Sequence, residues 1–204
     1  MTFLAVAILP AVAGASQRQP AARDHGFTIA PVPPDAVPAR YRRQVVSYTS
    51  PYPAGTVVVD PGERLLYVVQ NGGKAVRYGI SVGAAAFSWA GEAYVARKAA
   101  WPRWTPTPDM IARDRALARY RDGVAPGPTN PMGARALYLY QNGRDTLYRL
   151  HGTSEYWSIG KAASSGCIRL LNADIIALYD SIPVGAKVVV LPAKAPLKWR
   201  MQSR

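Results

Sequence analysis

Cysteine and histidine are both scarce in this sequence. One cysteine, Cys167, and two histidines occur among 204 residues. A single cysteine excludes an intramolecular disulfide and gives no firm indication of the cellular compartment. The sequence also contains no cluster of residues with metal-ligand spacing, so we expect neither a metal centre nor another cofactor.

Acidic residues are also few, with 12 Asp and Glu against 25 Lys and Arg and a formal net charge of +13. Such a basic surface favours anionic partners. The sequence has no helix-turn-helix, zinc-finger or RNP-like motif, and its arginines are scattered, so we do not expect nucleic acid as the partner. The remaining candidate partners are peptidoglycan carboxylates, anionic lipids and wall polymers. Alternatively, the basic surface binds no specific partner and only aids solubility.

Long apolar runs and internal repeats are not found. The N-terminal run, residues 3–15, is too short to span a bilayer comfortably. It ends in the small-x-small pattern Ala-Gly-Ala, which predicts a signal peptide over residues 1–15 although no Lys or Arg precedes it. The alternative is an apolar N-terminal strand. Residues 16–43 are rich in Pro, Ala and Arg, which predicts an extended linker in which His25 is solvated.

Eighteen prolines and seventeen glycines indicate many turns and short strands. Strands are predicted by β-branched or alternating apolar patterns at 56–60, 64–70, 76–82, 93–98, 136–140, 146–150 and 187–191. Hairpin turns are predicted at Asn71-Gly72-Gly73 and Asn142-Gly143. We therefore predict a mainly β domain over residues 44–193, a β-sandwich or partly open barrel with a few short helices, followed by a basic tail, 194–204.

One helix is predicted clearly, after residue 171. Ile175, Leu178, Tyr179 and Ile182 are spaced as one apolar helix face. Asn172 is predicted to cap the N-terminus of this helix.

The candidate functional stretch opens with His151-Gly152-Thr153 and closes with Ser164-Ser165-Gly166-Cys167-Ile168-Arg169. A lone cysteine that the fold brings near a histidine is a candidate nucleophile with its base. The imidazole could take the thiol proton or stabilise a thiolate, and Arg169 could lower the thiol pKa. Backbone N–H groups at Gly166 and Cys167 could hold an oxyanion. The alternative is that Cys167 is a small buried apolar residue and His151 is structural.

A second conspicuous stretch, residues 101–108, contains Trp101, Trp104 and three prolines. Two interpretations are open: a rigid wall beside a substrate groove, or a loop pinned to the core by tryptophan packing.

The stretch from His151 to Arg169 resembles the signature of the L,D-transpeptidase catalytic domain, the YkuD or ErfK family. That signature is a histidine, about fifteen residues, then Ser/Thr-His-Gly-Cys followed by an apolar residue and Arg or Asn. His151 and Cys167 are 167 − 151 = 16 positions apart. Ser165 stands where many members have a histidine, so no role of that histidine carries over. The resemblance covers roughly residues 57–191.

The resemblance implies a β-rich domain with the cysteine in a cleft. It implies that His151 assists attack by Cys167 on the diaminopimelate carbonyl of a donor tetrapeptide stem, and that an acceptor amine then completes a 3→3 cross-link. It also implies that the Gly152 carbonyl orients the imidazole. Further residues expected to bind substrate are Arg169, Ser164, Ser165 and Thr153. The expected partners are peptidoglycan stem peptides, with carbapenem-type β-lactams as inhibitors. The expected location is the periplasm or cell envelope, as a secreted protein that is peripheral to the envelope.

Several alternatives stay open. Water as the acceptor would make the protein an L,D-carboxypeptidase, and a lysine of an envelope protein would make it an anchoring enzyme. A papain-type protease is less favoured because the cysteine follows its histidine here. From another class, a non-catalytic peptidoglycan-binding domain would suit the basic surface and the tryptophans.

Overall fold

Most of the structured chain is β-strand. The computed structural model describes residues 21–83, 89–164 and 167–194, without the side chains of 163 and 164. The strands in these ranges are β1 (Ala22–Asp24), β2 (Phe27–Ile29), β3 (Gln44–Ser47), β4 (Val57–Asp60), β5 (Leu65–Gln70), β6 (Lys74–Gly79), β7 (Ser81–Gly83), β8 (Gly91–Ala100), β9 (Arg135–Gln141), β10 (Arg144–Thr153), β11 (Ala162–Ser164), β12 (Ile168–Leu171) and β13 (Lys187–Val190). The α-helices are α1 (Pro108–Arg113) and α2 (Asn172–Ser181), and short 3-10 helices cover Ala39–Tyr41, Arg115–Tyr120 and Tyr156–Ser158.

Eleven of these strands form one sheet in the order β11-β7-β12-β10-β9-β8-β13-β4-β5-β6-β3. Leu66 on β5 and Ile168 on β12 lie far apart in that order, yet both belong to one buried apolar cluster. The sheet must therefore curve around a shared core, as expected for a large twisted sheet. The prediction of a mainly β fold with few short helices is confirmed.

The hairpin turns form at the predicted positions. Between β5 and β6, Gly72 and Gly73 have φ angles of 70° and 65°, and between β9 and β10, Asn142 and Gly143 have 50° and 75°. Positive φ at both central residues is what the tight turns of twisted hairpins require, and glycine and asparagine adopt it most easily. The second of these hairpins delivers β10, the strand on which His151 lies.

Helix α2 packs Ile175 and Leu178 into the core, as its spacing predicted, and Ile182, the residue that caps its C-terminus, is buried with them. The prediction that Asn172 caps the helix is wrong. The capping position is Leu171, which makes no side-chain capping bond, and Asn172 is the first helical residue. Its Oδ1 instead accepts a hydrogen bond from Ala134 N at 2.9 Å. The side-chain oxygen that would have accepted a hydrogen bond in a local cap therefore accepts one from the backbone of a distant segment instead.

The N-terminal segment from residue 22 is packed onto the domain and is not an extended linker. Strands β1 and β2 form a separate two-stranded sheet, and Ile29 and Val37 are buried. Asp24 on β1 binds the side chains of Trp101 and Arg135, which anchors the hairpin to the main sheet. The predicted signal peptide, residues 1–15, and the tail beyond residue 194 lie outside the described residues.

A membrane-crossing helix would need both length and apolar character. Within the described ranges, none of the helices is both long enough and apolar enough to span a membrane.

Candidate active site

His151, Cys167 and Arg169 line one cavity of about 320 Å³. One wall is the face of the sheet, which also contributes Thr146, Leu147 and Tyr148. The opposite wall comes from the segment between β8 and β9 and contains Trp104, Thr107, Asp109, Met110, Arg113, Pro131 and Met132. The cavity therefore has a regular β wall that holds the candidate catalytic pair, and a loop-and-helix wall that faces it.

The pairing of β10 with β12 explains why these residues meet. The two strands are parallel, with Leu150 opposite Ile168 and His151 opposite Arg169. Because successive side chains of a strand point to opposite faces, Leu150 and Ile168 enter the core while His151 and Arg169 emerge on the other face. Cys167 directly precedes β12 and reaches the same cavity as Arg169.

His151 is held in one tautomer by its own backbone neighbour. Its side chain is buried, with 4% of the residue exposed, and Nδ1 lies 2.8 Å from the Gly152 carbonyl oxygen. A carbonyl oxygen only accepts hydrogen bonds, so Nδ1 carries the proton and Nε2 keeps its lone pair. Burial lowers the pKa of His151 to about 4. The positive charges of Arg169 and Arg149 also lower it, while the hydrogen bonds to the Gly152 and Met132 carbonyls raise it. At neutral pH the imidazole is therefore neutral and able to accept a proton.

Cys167 is partly exposed and lies outside any disulfide. Burial raises the pKa of its thiol, while the charge and main chain of Arg149 and the charge of Arg169 act in the opposite direction. The expected lowering by Arg169 is thus present but outweighed by burial. A protonated thiol beside a neutral imidazole favours general-base activation over a preformed thiolate–imidazolium pair.

The guanidinium of Arg169 reaches from the cavity to Glu155, with 2.8 Å between Nη1 and Oε2. Its Nε is buried and has no hydrogen-bond partner within the structured part of the chain. Arg149, one pleat before His151 on β10, makes two bonds to Asp145, of 2.6 and 2.8 Å. Sequence reasoning did not single out Arg149, although its spacing of two from His151 on a strand places both on one face.

The other predicted site residues have different environments. Thr153 is buried and its Oγ1 accepts a hydrogen bond from Glu155 N, at 3.0 Å. Thr153 lines a second cavity, of about 570 Å³, and is not among the residues that line the cavity with Cys167. Ser164 lies on β11, beside Gly83 of β7. Its side chain, Ser165 and Gly166 lie outside the described residues, so their expected roles in substrate and oxyanion binding stay predictions.

Comparison with known proteins decides the family. The family model of the YkuD L,D-transpeptidase catalytic domain matches residues 54–190, well over half of the chain. This chain belongs to the L,D-transpeptidase catalytic domain family.

Individual relatives agree with the family match. Escherichia coli K12 has a protein named Probable L,D-transpeptidase YbiS, which is 47% identical over 104 residues, or 50% of this chain and 32% of that protein. Another E. coli K12 protein, named Probable L,D-transpeptidase ErfK/SrfK, is 44% identical over 48% of this chain and 30% of its own length. The match thus spans about a third of the length of these curated relatives.

A solved structure is similar over a larger part of the chain. It is the crystal structure of a Brucella melitensis protein named probable carnitine operon oxidoreductase caia. It is 45% identical, covers 76% of this chain and 97% of its own, and has a TM-score of 0.53.

In this L,D-transpeptidase domain the two tryptophans of residues 101–108 have different environments. Trp101 is 5% exposed, packs with Ile29 and Ala134, and donates its indole N–H to Asp24 Oδ2 at 2.6 Å. Trp104 lines the cavity. The interpretation as a pinned loop therefore holds for Trp101, and the interpretation as a wall of the groove holds for Trp104.

Helix α1 completes the loop wall of the L,D-transpeptidase cavity. Thr107 caps it by accepting a hydrogen bond from Met110 N at 3.2 Å, and Pro108 occupies its first turn. The helix contributes the charged residues Asp109 and Arg113 to the cavity. A few short helices were expected from the sequence, which gave no signal that one of them would face Cys167.

The structured part of the chain contains no group of three or more His, Cys, Asp or Glu residues that could hold a metal ion.

Proposed function

We propose that this chain is a peptidoglycan L,D-transpeptidase that forms an acyl-enzyme on Cys167. One observation carries the proposal: His151, fixed through Nδ1 by the Gly152 carbonyl, shares a cavity with Cys167. A purely binding domain has no need for a histidine tautomer that leaves Nε2 available beside the only thiol in the chain.

The acylation step begins with transfer of the thiol proton to His151 Nε2. The sulfur attacks the carbonyl carbon of diaminopimelate in a donor tetrapeptide stem, and backbone N–H groups near residues 166 and 167 stabilise the oxyanion. The bond to the terminal D-alanine breaks, and His151 returns its proton to the departing amine. A thioester on Cys167 results.

Transfer of the acyl group completes the reaction. An amine of an acceptor stem attacks the thioester carbonyl, His151 Nε2 takes the proton that the amine loses, and the thiol is regenerated. A diaminopimelate amine as acceptor gives a 3→3 cross-link. Water as acceptor gives L,D-carboxypeptidase activity, and a lysine of an envelope protein gives protein anchoring. We assign the site of action to the cell envelope, since the substrate is found there.

Arg169 is proposed to bind a carboxylate of the stem peptide. Arg169 lines the cavity, and the carboxylate that its guanidinium bonds, Glu155, is about half exposed. A carboxylate that enters the cavity can pair with the Arg169 side chain in a charge-assisted bond. The net charge of +13 fits a polyanionic substrate.

The test is intact-mass spectrometry after incubation with a carbapenem, which resembles an acyl donor for this family. The wild type should gain one adduct, and Cys167→Ala should gain none because it lacks the attacking sulfur. His151→Gln should be acylated about 10²- to 10⁴-fold more slowly, the usual contribution of a general base. A folded wild type without an adduct, or an adduct on Cys167→Ala, would contradict the proposal.

Purified muropeptides then identify the acceptor. Incubation with disaccharide tetrapeptides should give 3→3 dimers together with free D-alanine. Tripeptides without dimers would assign the carboxypeptidase reaction instead. Retention of the muropeptides without any product would favour the binding domain.

A further inference from the structure

Three segments meet at very short range behind His151. They are Gly133 in the turn before β9, Gly152 on β10 and Asn172 at the start of α2. A Cβ atom added to Gly152 would lie 2.3 Å from Asn172 Oδ1, and one added to Gly133 would lie 2.4 Å from the same oxygen and 2.5 Å from the Gly152 carbonyl carbon. Neither glycine can be replaced unless its neighbours move, because these separations are far below van der Waals contact.

Asn172 connects these segments through a hydrogen bond. It is 9% exposed, and its Oδ1 accepts from Ala134 N at 2.9 Å. The Ala134 carbonyl in turn accepts from Trp101 N and from Arg135 Nη1, both at 2.8 Å. Both backbone polar groups of Ala134, its N–H and its carbonyl, are therefore hydrogen-bonded. Asn172 connects Ala134 to α2 and to the backbone of Gly152.

The Gly152 peptide that these contacts confine is the one that orients His151. Its carbonyl oxygen accepts the Nδ1 proton at 2.8 Å, and the carbonyl of Met132, in the same turn as Gly133, also acts on the imidazole. A rotation of the Gly152 peptide would remove the acceptor from Nδ1. The imidazole would then lose both its orientation and its tautomer preference.

We propose that Asn172 is a positioning residue for His151: by packing against the Gly152 peptide and holding the turn at Gly133 and Ala134, it keeps the Gly152 carbonyl directed at Nδ1. This inference rests on the proposed function only in its consequence for catalysis. Asn172 itself touches neither the cavity with Cys167 nor the reacting atoms.

The histidine content allows a direct test by NMR. The chain has two histidines, and His25, whose side chain is 60% exposed, serves as an internal reference for His151. Two-bond ¹H–¹⁵N spectra of the imidazoles report the tautomer and, across pH, the pKa of each ring. The wild type should show the Nδ1–H tautomer at His151 with a pKa of about 4.

Asn172→Ala should shift His151 to a mixture of tautomers and move its pKa up toward the ordinary value, because the ring becomes more solvated. The charged groups around the ring stay the same: Arg149 and Arg169 on the sheet, and Asp109 and Arg113 on α1 across the cavity. Asn172→Asp should keep the wild-type tautomer, since its Oδ1 can still accept from Ala134 N. Acylation of Cys167 by a carbapenem at pH 7 should slow about 10-fold in Asn172→Ala, as expected for a small misplacement of a catalytic group.

Ile182→Val is the matched control on the same helix. It removes a methyl group from the other end of α2 and should loosen the helix without changing the spectrum of His151. The inference is overturned if Asn172→Ala keeps the wild-type tautomer and pKa of His151, or if Ile182→Val changes them equally. Should Asn172→Ala fail to fold, Gly133→Ala, which presses on the same Gly152 peptide, must change the His151 tautomer for the proposal to stand.

The spectra also separate this inference from the proposed function. Wild-type protein with an ordered His151 tautomer but no carbapenem adduct would contradict the proposed function alone. An adduct on the wild type together with an unchanged His151 in Asn172→Ala would contradict the positioning role alone.

Discussion

Two arginines of this molecule pair with a carboxylate in very different ways. Arg135 on β9 makes two bonds to Asp24, of 2.6 and 2.8 Å, and the two side chains are 5% and 19% exposed. Arg169 on β12 makes one bond of 2.8 Å to Glu155, and those side chains are 17% and 49% exposed. The first pair is enclosed and bidentate, while the second is open at its carboxylate end.

This difference indicates that Arg135 stabilises the fold, whereas Arg169 is available to a ligand. Asp24 also accepts from Trp101, and the hydrogen bond from Arg135 holds the pKa of its carboxyl well below its usual range. Nε has no hydrogen-bond partner in the described ranges for either arginine, so that feature alone does not identify a binding residue. Arg169 differs because it lines the cavity with Cys167, as required by our proposal that it binds a substrate carboxylate.

The largest effect is expected from breaking the enclosed pair. Asp24→Asn should lower the free energy of unfolding by about 3–5 kcal/mol, since it leaves the buried Arg135 without its counter-charge. Urea denaturation at pH 7 measures the change. Adding Arg135→Met should recover part of the loss, because the double variant no longer contains an unpaired buried charge. A loss below about 1 kcal/mol would show that the hairpin is held by other contacts.

The same variant should change the acid stability of the protein. A carboxyl with a depressed pKa contributes stability above its unfolded pKa of about 3.9, and this contribution is lost as pH falls below that value. The wild type should therefore lose stability below about pH 4 more steeply than Asp24→Asn. Parallel curves for the two proteins in this range would contradict the assignment.

A third pair, Arg43 with Asp174, is expected to change the stability of the protein with pH in the opposite direction. Arg43 Nε lies 3.8 Å from Asp174 Oδ1, and burial raises the pKa of Asp174 to about 6 despite the charge of Arg43. The charged carboxylate is thus disfavoured in the folded state, and stability falls as pH rises from about 4 through 6. Asp174→Asn should stabilise the protein at pH 7.5 by up to about 2 kcal/mol and have little effect at pH 4. A loss of melting temperature at pH 7.5 would mean that the carboxylate is better satisfied than its burial indicates.

The sequence predicted the local parts of this molecule better than the long-range ones. The hairpin turns and the apolar face of α2 follow from a few adjacent residues, and the His151 and Cys167 motif lies within one stretch. Asp24 and Asn172 act through segments far away in the chain. The distance in sequence between Asp24 and Arg135 is 111 residues, and that between Ala134 and Asn172 is 38. No periodicity or turn signal reports such pairings, and local capping chemistry was misleading for Asn172 because a tertiary donor was available.

The smallest effect on stability is expected when the pair of Arg169 with Glu155 is broken. The effect on activity should depend on whether the substrate carries the carboxylate that Arg169 binds. Arg169→Met should change the free energy of unfolding by no more than about 1 kcal/mol, because Glu155 is half-exposed and can be solvated when its partner is lost. If Arg169 binds a substrate carboxylate, the variant should raise KM for a tetrapeptide donor, and Glu155→Gln, which leaves the guanidinium unpaired, should not. A donor in which that carboxylate is amidated is the control, since Arg169→Met should process it as the wild type does. An equal loss with both donors would mean that Arg169 supports the cavity wall instead, and its pair with Glu155 would then resemble the pair of Arg135 with Asp24.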